Sequence, residues 1–142
     1  MSSWLIFALL SAISAAFVSI FGKIGLNGID SNVATTIRSI IMALFMIGVI
    51  TVQGKLGHIG EVLVNRKAVL FISLSGIAGA CSWLFYFIAL KTGKVSQVAP
   101  VDKLSVVIAI LLALVILHEK INLQAGIGVG LITAGVLCIA FN

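Results

Sequence analysis

Charge is scarce in this chain. Only 9% of its 142 residues are Asp, Glu, Lys or Arg, while 61% are hydrophobic. An ordinary soluble domain carries about 25% charged residues, so there is too little polar material here for a hydrated surface. Cysteine is nearly absent as well. Cys81 and Cys138 stand alone inside apolar runs, with no Cys-x-x-Cys or Cys/His spacing, which argues against a metal or redox centre and leaves two small buried residues as the plain reading. No Ser/His/Asp set is in view, because His58 and His118 both fall in connecting segments, and neither a phosphate-binding GxxxxGK[ST] loop nor a dinucleotide fingerprint is present. Enzymatic chemistry and organic cofactors are therefore not expected. The net charge of +5 does not point to nucleic acid, since no basic cluster is interleaved with aromatic residues. The first basic residue is Lys23, so the N-terminal apolar run lacks the charged start of a secretory signal and reads as a retained helix.

The apolar material is arranged in long runs. Crossing the hydrocarbon core takes about 20 apolar residues in a helix, and five segments qualify: 4–22, 33–53, 68–90, 98–117 and 123–141. They do not alternate polar with apolar, as membrane strands would. The expected fold is therefore an all-α integral membrane domain over residues 1–142, with five transmembrane helices. The fourth span has to begin near Val98, since 104–117 is only 14 residues. Pro100, Asp102 and Lys103 then lie inside the membrane region. Ser96 is the expected N-cap, with Pro100 in the first turn, where its missing N–H costs little. The connections are short except 54–67, where Ile59, Val62 and Leu63 at helical spacing beside Glu61 and Arg66 fit a short interfacial helix or a loop.

Five spans place the termini on opposite sides of the membrane. Lys55, Arg66, Lys67 and Lys120 lie on the N-terminal side; Lys23, Lys91 and Lys94 lie on the other. Arg38 and Lys103 are a few residues inside their helices near that second side, and would make the count four against five if they snorkel outward. Either count leaves a bias of about one charge under the positive-inside rule. A chain so balanced can insert both ways, and two copies in opposite orientation would supply the inverted pair from which many transporters are built. The alternative is a single orientation held by a partner. Gly126, Gly130, Ala134 and Cys138 recur every four residues on the last span, a small-xxx-small stripe suited to close helix contact, and mark the expected homodimer face.

Charges in hydrocarbon cost at least ~2.5–3.5 kcal/mol each, so Arg38, Asp102 and Lys103 ask for a reason. Asp102 and Lys103 are adjacent and point about 100° apart on a helix. One would line a cavity while the other pairs with a neighbouring helix. Arg38, at similar depth, is the expected partner of Asp102, as a structural lock or as a coupling relay. Lys103 fits an anion site. On the third span Ser82, Trp83 and Tyr86 share a face and would form an aromatic wall for an organic solute, although an interfacial aromatic belt would also place Phe85, Tyr86 and Phe87 near that helix end.

VAPVDKLSVVIAILLALVILHEKI, residues 98–121, resembles the closing part of an EamA domain of the drug/metabolite transporter superfamily, with its "VAP" start, its long apolar helix and a His-Glu-Lys turn in which Glu119 matches the turn carboxylate. SWLFYFIALKTGKVSQVAP, residues 82–100, is similar to the stretch preceding it. The resemblance covers nearly the whole chain and implies one such domain standing alone. It also implies inverted halves around a central substrate path, here two copies of the chain, with the N-terminus and the 118–122 turn cytoplasmic in one of them. The related small multidrug-resistance proteins carry an essential glutamate on their first helix, whereas this chain has Ser11, Ser14 and Ser19 there. That departure speaks against proton-coupled efflux of cationic drugs. The resulting expectation is a secondary transporter in the cell's inner or plasma membrane, moving a small anionic or zwitterionic metabolite by alternating access. A small multidrug efflux protein and a non-transporting membrane subunit remain the alternatives.

Overall fold

The computed structural model describes residues 3–141, which are helical with short connections and contain no strand. The elements are α1 (Ser3–Gly25), α2 (Ser31–Val52), α3 (His58–Val64), α4 (Arg66–Thr92), α5 (Val95–Asp102), α6 (Leu104–Ile116) and α7 (Leu123–Ala140). Five stretches are long and apolar enough to cross a membrane: α1, α2, α4, the pair Val95–Ile116, and α7. Their large apolar side chains are overwhelmingly exposed, Phe7, Leu44, Phe45, Phe71 and Leu131 among them. In water such a surface would be untenable; against lipid tails it is the expected one.

Hydroxyl groups inside the spans are reconciled with hydrocarbon by bonding within their own helices. Ser14 donates to the Leu10 carbonyl, Ser19 to Ala15, Thr35 to Ser31, Ser39 to Thr35, Thr51 to Ile47 and Thr133 to Val129, all between 2.7 and 3.1 Å. Each satisfies its O–H four residues back. Helix starts are fastened by side chains at three places. Asp30 Oδ1 accepts from the N–H groups of Asn32 and Val33, Asn65 Oδ1 from Ala68 and Asn122 Oδ1 from Ala125, each covering N–H groups that a helix leaves open in its first turn.

The expected fourth helix, 98–117, is in fact two. α5 begins at Val95, so Ser96 is not the cap and Pro100 is the sixth residue rather than part of the first turn. There proline removes the N–H that would bond the Ser96 carbonyl, and its ring crowds that carbonyl. The backbone then tightens, with Lys103 N–H bonding the Pro100 carbonyl at 3.0 Å, and α6 starts anew at Leu104. The other four long helices fall within a few residues of expectation, and 58–64 is helical rather than looped, with Ile59, Val62 and Leu63 exposed. The cysteines depart from expectation, since Cys81 and Cys138 are both exposed and unpaired. Their small side chains sit on helix faces that the rest of the chain does not cover.

The chain forms two compact units. The first comprises residues 1–23 and 92–142, and there α7 packs against both α5 and α6. Val136 is buried on this face, and Thr133 and Val129, one and two turns earlier, are half-buried. The Lys23 ammonium donates to the Gly93 carbonyl at 2.8 Å and ties the end of α1 to the turn before α5. After α6 the backbone turns through His118 at φ 54°, while Leu117 and Glu119 both donate to the Ala113 carbonyl. A side chain in this left-handed conformation costs about 1 kcal/mol or more relative to glycine. His118→Gly is therefore expected to raise stability by about 0.5–1 kcal/mol, read as a higher unfolding midpoint in detergent; a lower midpoint would mean that the imidazole makes a compensating contact. The second unit comprises residues 24–91 and centres on Leu26, Ser31, Thr35, Tyr86, Phe87 and Leu90, all buried.

Candidate functional site

Two polar constellations lie within the spans, one in each unit. In the first unit Lys103 Nζ stands 3.2 Å from Asp102 Oδ2, with the lysine side chain 54% exposed and the aspartate 33%. The sequence argument expected these neighbours to diverge. They meet because the helix is interrupted between them and because the lysine arm is long enough to curl back. The pair is thus a short ion pair at the break between α5 and α6, with one side open. A charge at this depth is expensive to leave alone. The adjacent opposite charge lowers the cost without recruiting another helix, and the accessible ammonium retains donors for a further anion.

In the second unit the Arg38 guanidinium carbon lies 3.7 Å above the centre of the Trp83 ring and 5.4 Å from that of Phe87. Trp83 meets Tyr86 edge-on, with ring centres 5.6 Å apart and planes at 88°, and Phe87 at 6.0 Å; Tyr86 and Phe87 are 6.2 Å apart. Trp83 and Phe87 share a face because they are four residues apart on α4. Tyr86 completes the cluster from the adjoining face. Ser82, expected beside Trp83 and Tyr86, is exposed, and the third ring of the cluster is Phe87. Phe87 was read as part of an interfacial belt, yet its spacing from Trp83 already carried the signal. Arg38 and Trp83 are both half-buried, while Tyr86 and Phe87 are buried.

An arginine over an aromatic face gains roughly 0.5–2 kcal/mol. A charge in a membrane helix costs at least ~2.5–3.5 kcal/mol, so the ring contact offsets only part of that cost. Within the 24–91 unit Arg38 has no hydrogen bond or ion pair with a described residue. The expected partner, Asp102, has its carboxylate on Lys103.

Residues 2–141 match the profile of the EamA-like transporter family. A Sinorhizobium protein described as an uncharacterized transporter in the cobO 3' region is 40% identical over 138 residues, a stretch that spans 97% of this chain and 96% of the relative. No solved structure matches the chain.

Proposed function

Because the chain belongs to the EamA-like transporter family, we propose that it is a secondary transporter that moves a small anionic or zwitterionic organic metabolite by alternating access. It is a multi-pass membrane transporter and not an enzyme. The finer reading is carried by one observation, the open Lys103–Asp102 pair at the break in the fourth span. An incoming anion competes with Asp102 for the Lys103 ammonium. The carboxylate so released is free to take up a proton or another cation, which couples solute movement to ion movement. Trp83 and Tyr86, with Ser82 at the wall's edge, are proposed to contact the organic body of the solute, and Arg38 remains the second intramembrane cation available to the pathway. No metal or cofactor enters this scheme.

Assembly is proposed as an antiparallel homodimer in the inner or plasma membrane. Two observations support it: a Lys/Arg bias of about one charge across the membrane, and the small-residue face of α7, where Gly126, Gly130 and Ala134 are exposed. The relative is matched over nearly all of its own length and is thus another protein of this size. Family membership favours transport over the alternative of a non-transporting subunit.

The deciding experiment uses purified protein in liposomes loaded with candidate organic anions. Lys103→Ala is expected to lower flux about 100-fold, as removal of a charge-assisted contact does. Removing one member of such a pair also strands the other charge, so the double variant Asp102→Ala, Lys103→Ala is the control. If the pair only locks the fold, the double variant regains flux. Flux that stays low in a folded double variant supports the direct role.

A further inference from the structure

Arg38 stands seven residues into α2, about 10 Å from that helix's start at 1.5 Å per residue. Trp83 stands nine residues before the end of α4, about 13 Å in by the same rise. The 3.7 Å contact between them therefore lies well within the membrane-spanning part of the unit. A guanidinium carries five N–H donors around its edge. A ring in contact with its carbon occupies its face and accepts none of them in the manner of an oxygen. No described residue of the 24–91 unit supplies an acceptor.

Within the 24–91 unit the carboxylates that would normally neutralise an intramembrane arginine are committed or remote. Between residues 31 and 92 the sequence has one acid, Glu61, which belongs to α3, beyond the far end of α2. Asp30 is engaged at the start of α2 with the N–H groups of Asn32 and Val33. Asp102 is held by Lys103. The cation is thus fixed by Trp83 and Phe87, with Tyr86 buttressing Trp83, and its hydrogen-bonding edge meets no acceptor within this unit. A planar fork of this kind matches a carboxylate or phosphate, which can accept two N–H bonds side by side.

We propose that Arg38, seated on Trp83 and Phe87, is an oxyanion-binding point that holds the carboxylate or phosphate of a small solute against an aromatic surface. The proposal rests on the transport reading and extends it. It assigns the solute's oxyanion a receptor in the 24–91 unit in addition to Lys103, and it implies a solute whose anionic group adjoins an apolar or flat body.

The chain contains two tryptophans, so Trp4→Phe leaves Trp83 as the sole fluorescent reporter, in contact with the proposed site. This protein, in nanodiscs of neutral phosphatidylcholine, is titrated with benzoate and inorganic phosphate, with benzamide as the uncharged match to benzoate. Benzoate is expected to shift Trp83 emission saturably and benzamide to bind about 10- to 100-fold more weakly, the range for a charge-assisted bidentate contact. Arg38→Gln should lose benzoate binding by a similar factor. Arg38→Lys, which keeps the charge without the fork, should fall between. Equal binding of benzoate and benzamide to the Arg38 protein overturns the proposal even if Arg38→Gln fails to fold, as does undiminished benzoate binding to a folded Arg38→Gln. Phosphatidylglycerol in the nanodisc separates the two sources of oxyanion. If it produces the same Arg38-dependent shift and blocks benzoate, the occupant is a lipid phosphate and the solute assignment fails. Arg38-dependent binding without anion flux in liposomes supports the oxyanion site and removes the transport reading; flux that persists in Arg38→Gln keeps transport and removes the site.

Discussion

Leucine at both Gly126 and Gly130 is expected to turn the proposed dimer into a folded, silent monomer. The structure makes this a clean test. A Cβ at either glycine meets no atom within 4 Å, and the half-buried and buried residues of α7, Val129, Thr133 and Val136, centre on the adjoining face, about 75° round the helix. The substitutions should therefore leave helix content and the unfolding midpoint of the monomer in place. At a helix–helix interface built on close backbone approach, added bulk costs about 1–3 kcal/mol per site. With both sites changed in both copies, the dimer should weaken roughly 100-fold or more. Light scattering in detergent and flux in liposomes read the two effects. Dimers of undiminished stability would remove α7 from the interface. Orientation can be read on the same face. With Cys81→Ser, Cys138 is the remaining thiol. Two copies of α7 crossing in parallel at Gly130 bring the Cys138 pair together. Crossing antiparallel separates them by about 24 Å, from eight residues of rise in each direction, far beyond the ~7 Å limit on Cα separation for a disulfide. Dimers that resist oxidative cross-linking are the expected result.

The second large effect is topological. Two lysines appended to the C-terminus are expected to force most copies into one orientation and to cut flux several-fold or more. Orientation follows the Lys and Arg content of short segments near the spans, and here the two sides differ by about one charge, so an added pair exceeds the native bias. If function needs both orientations, activity falls in step with the loss of one of them. Co-expression with a chain biased the other way, by lysines added to the 91–97 turn, should restore it. Labelling of single cysteines at the two ends from each side of the membrane follows the populations directly. One-sided labelling of the native protein would end the antiparallel reading, whatever the flux.

The spans were legible because length and hydropathy suffice to find a membrane helix. Four of the five long helices, and the short α3 as one of two readings, follow from the sequence alone. The break at Lys103 was not. Proline near a helix start is harmless, and whether Pro100 was first-turn or interior turned on where α5 began, a matter of the three residues between 95 and 98. The contact between the neighbouring charges was not legible. Helical angles set Asp102 and Lys103 apart, whereas an interrupted helix and a flexible arm brought them together. Matching Arg38 by depth to a carboxylate leaves out the ring of Trp83, on which it lies. Pairing by depth ignores the aromatic faces that also attract a cation.

The interruption between α5 and α6 also has a mechanical meaning. A continuous helix transmits any tilt along its whole length. Here one residue, Lys103, joins a segment of eight residues to one of thirteen. The shorter segment is a lever arm of about 12 Å. A change of about 20° at the joint swings its far end through roughly 4 Å, more than the diameter of a water molecule, while α6 keeps its place in the bilayer. The ion pair of Asp102 and Lys103 sits at the fulcrum, where the change in torsion is greatest and the displacement least.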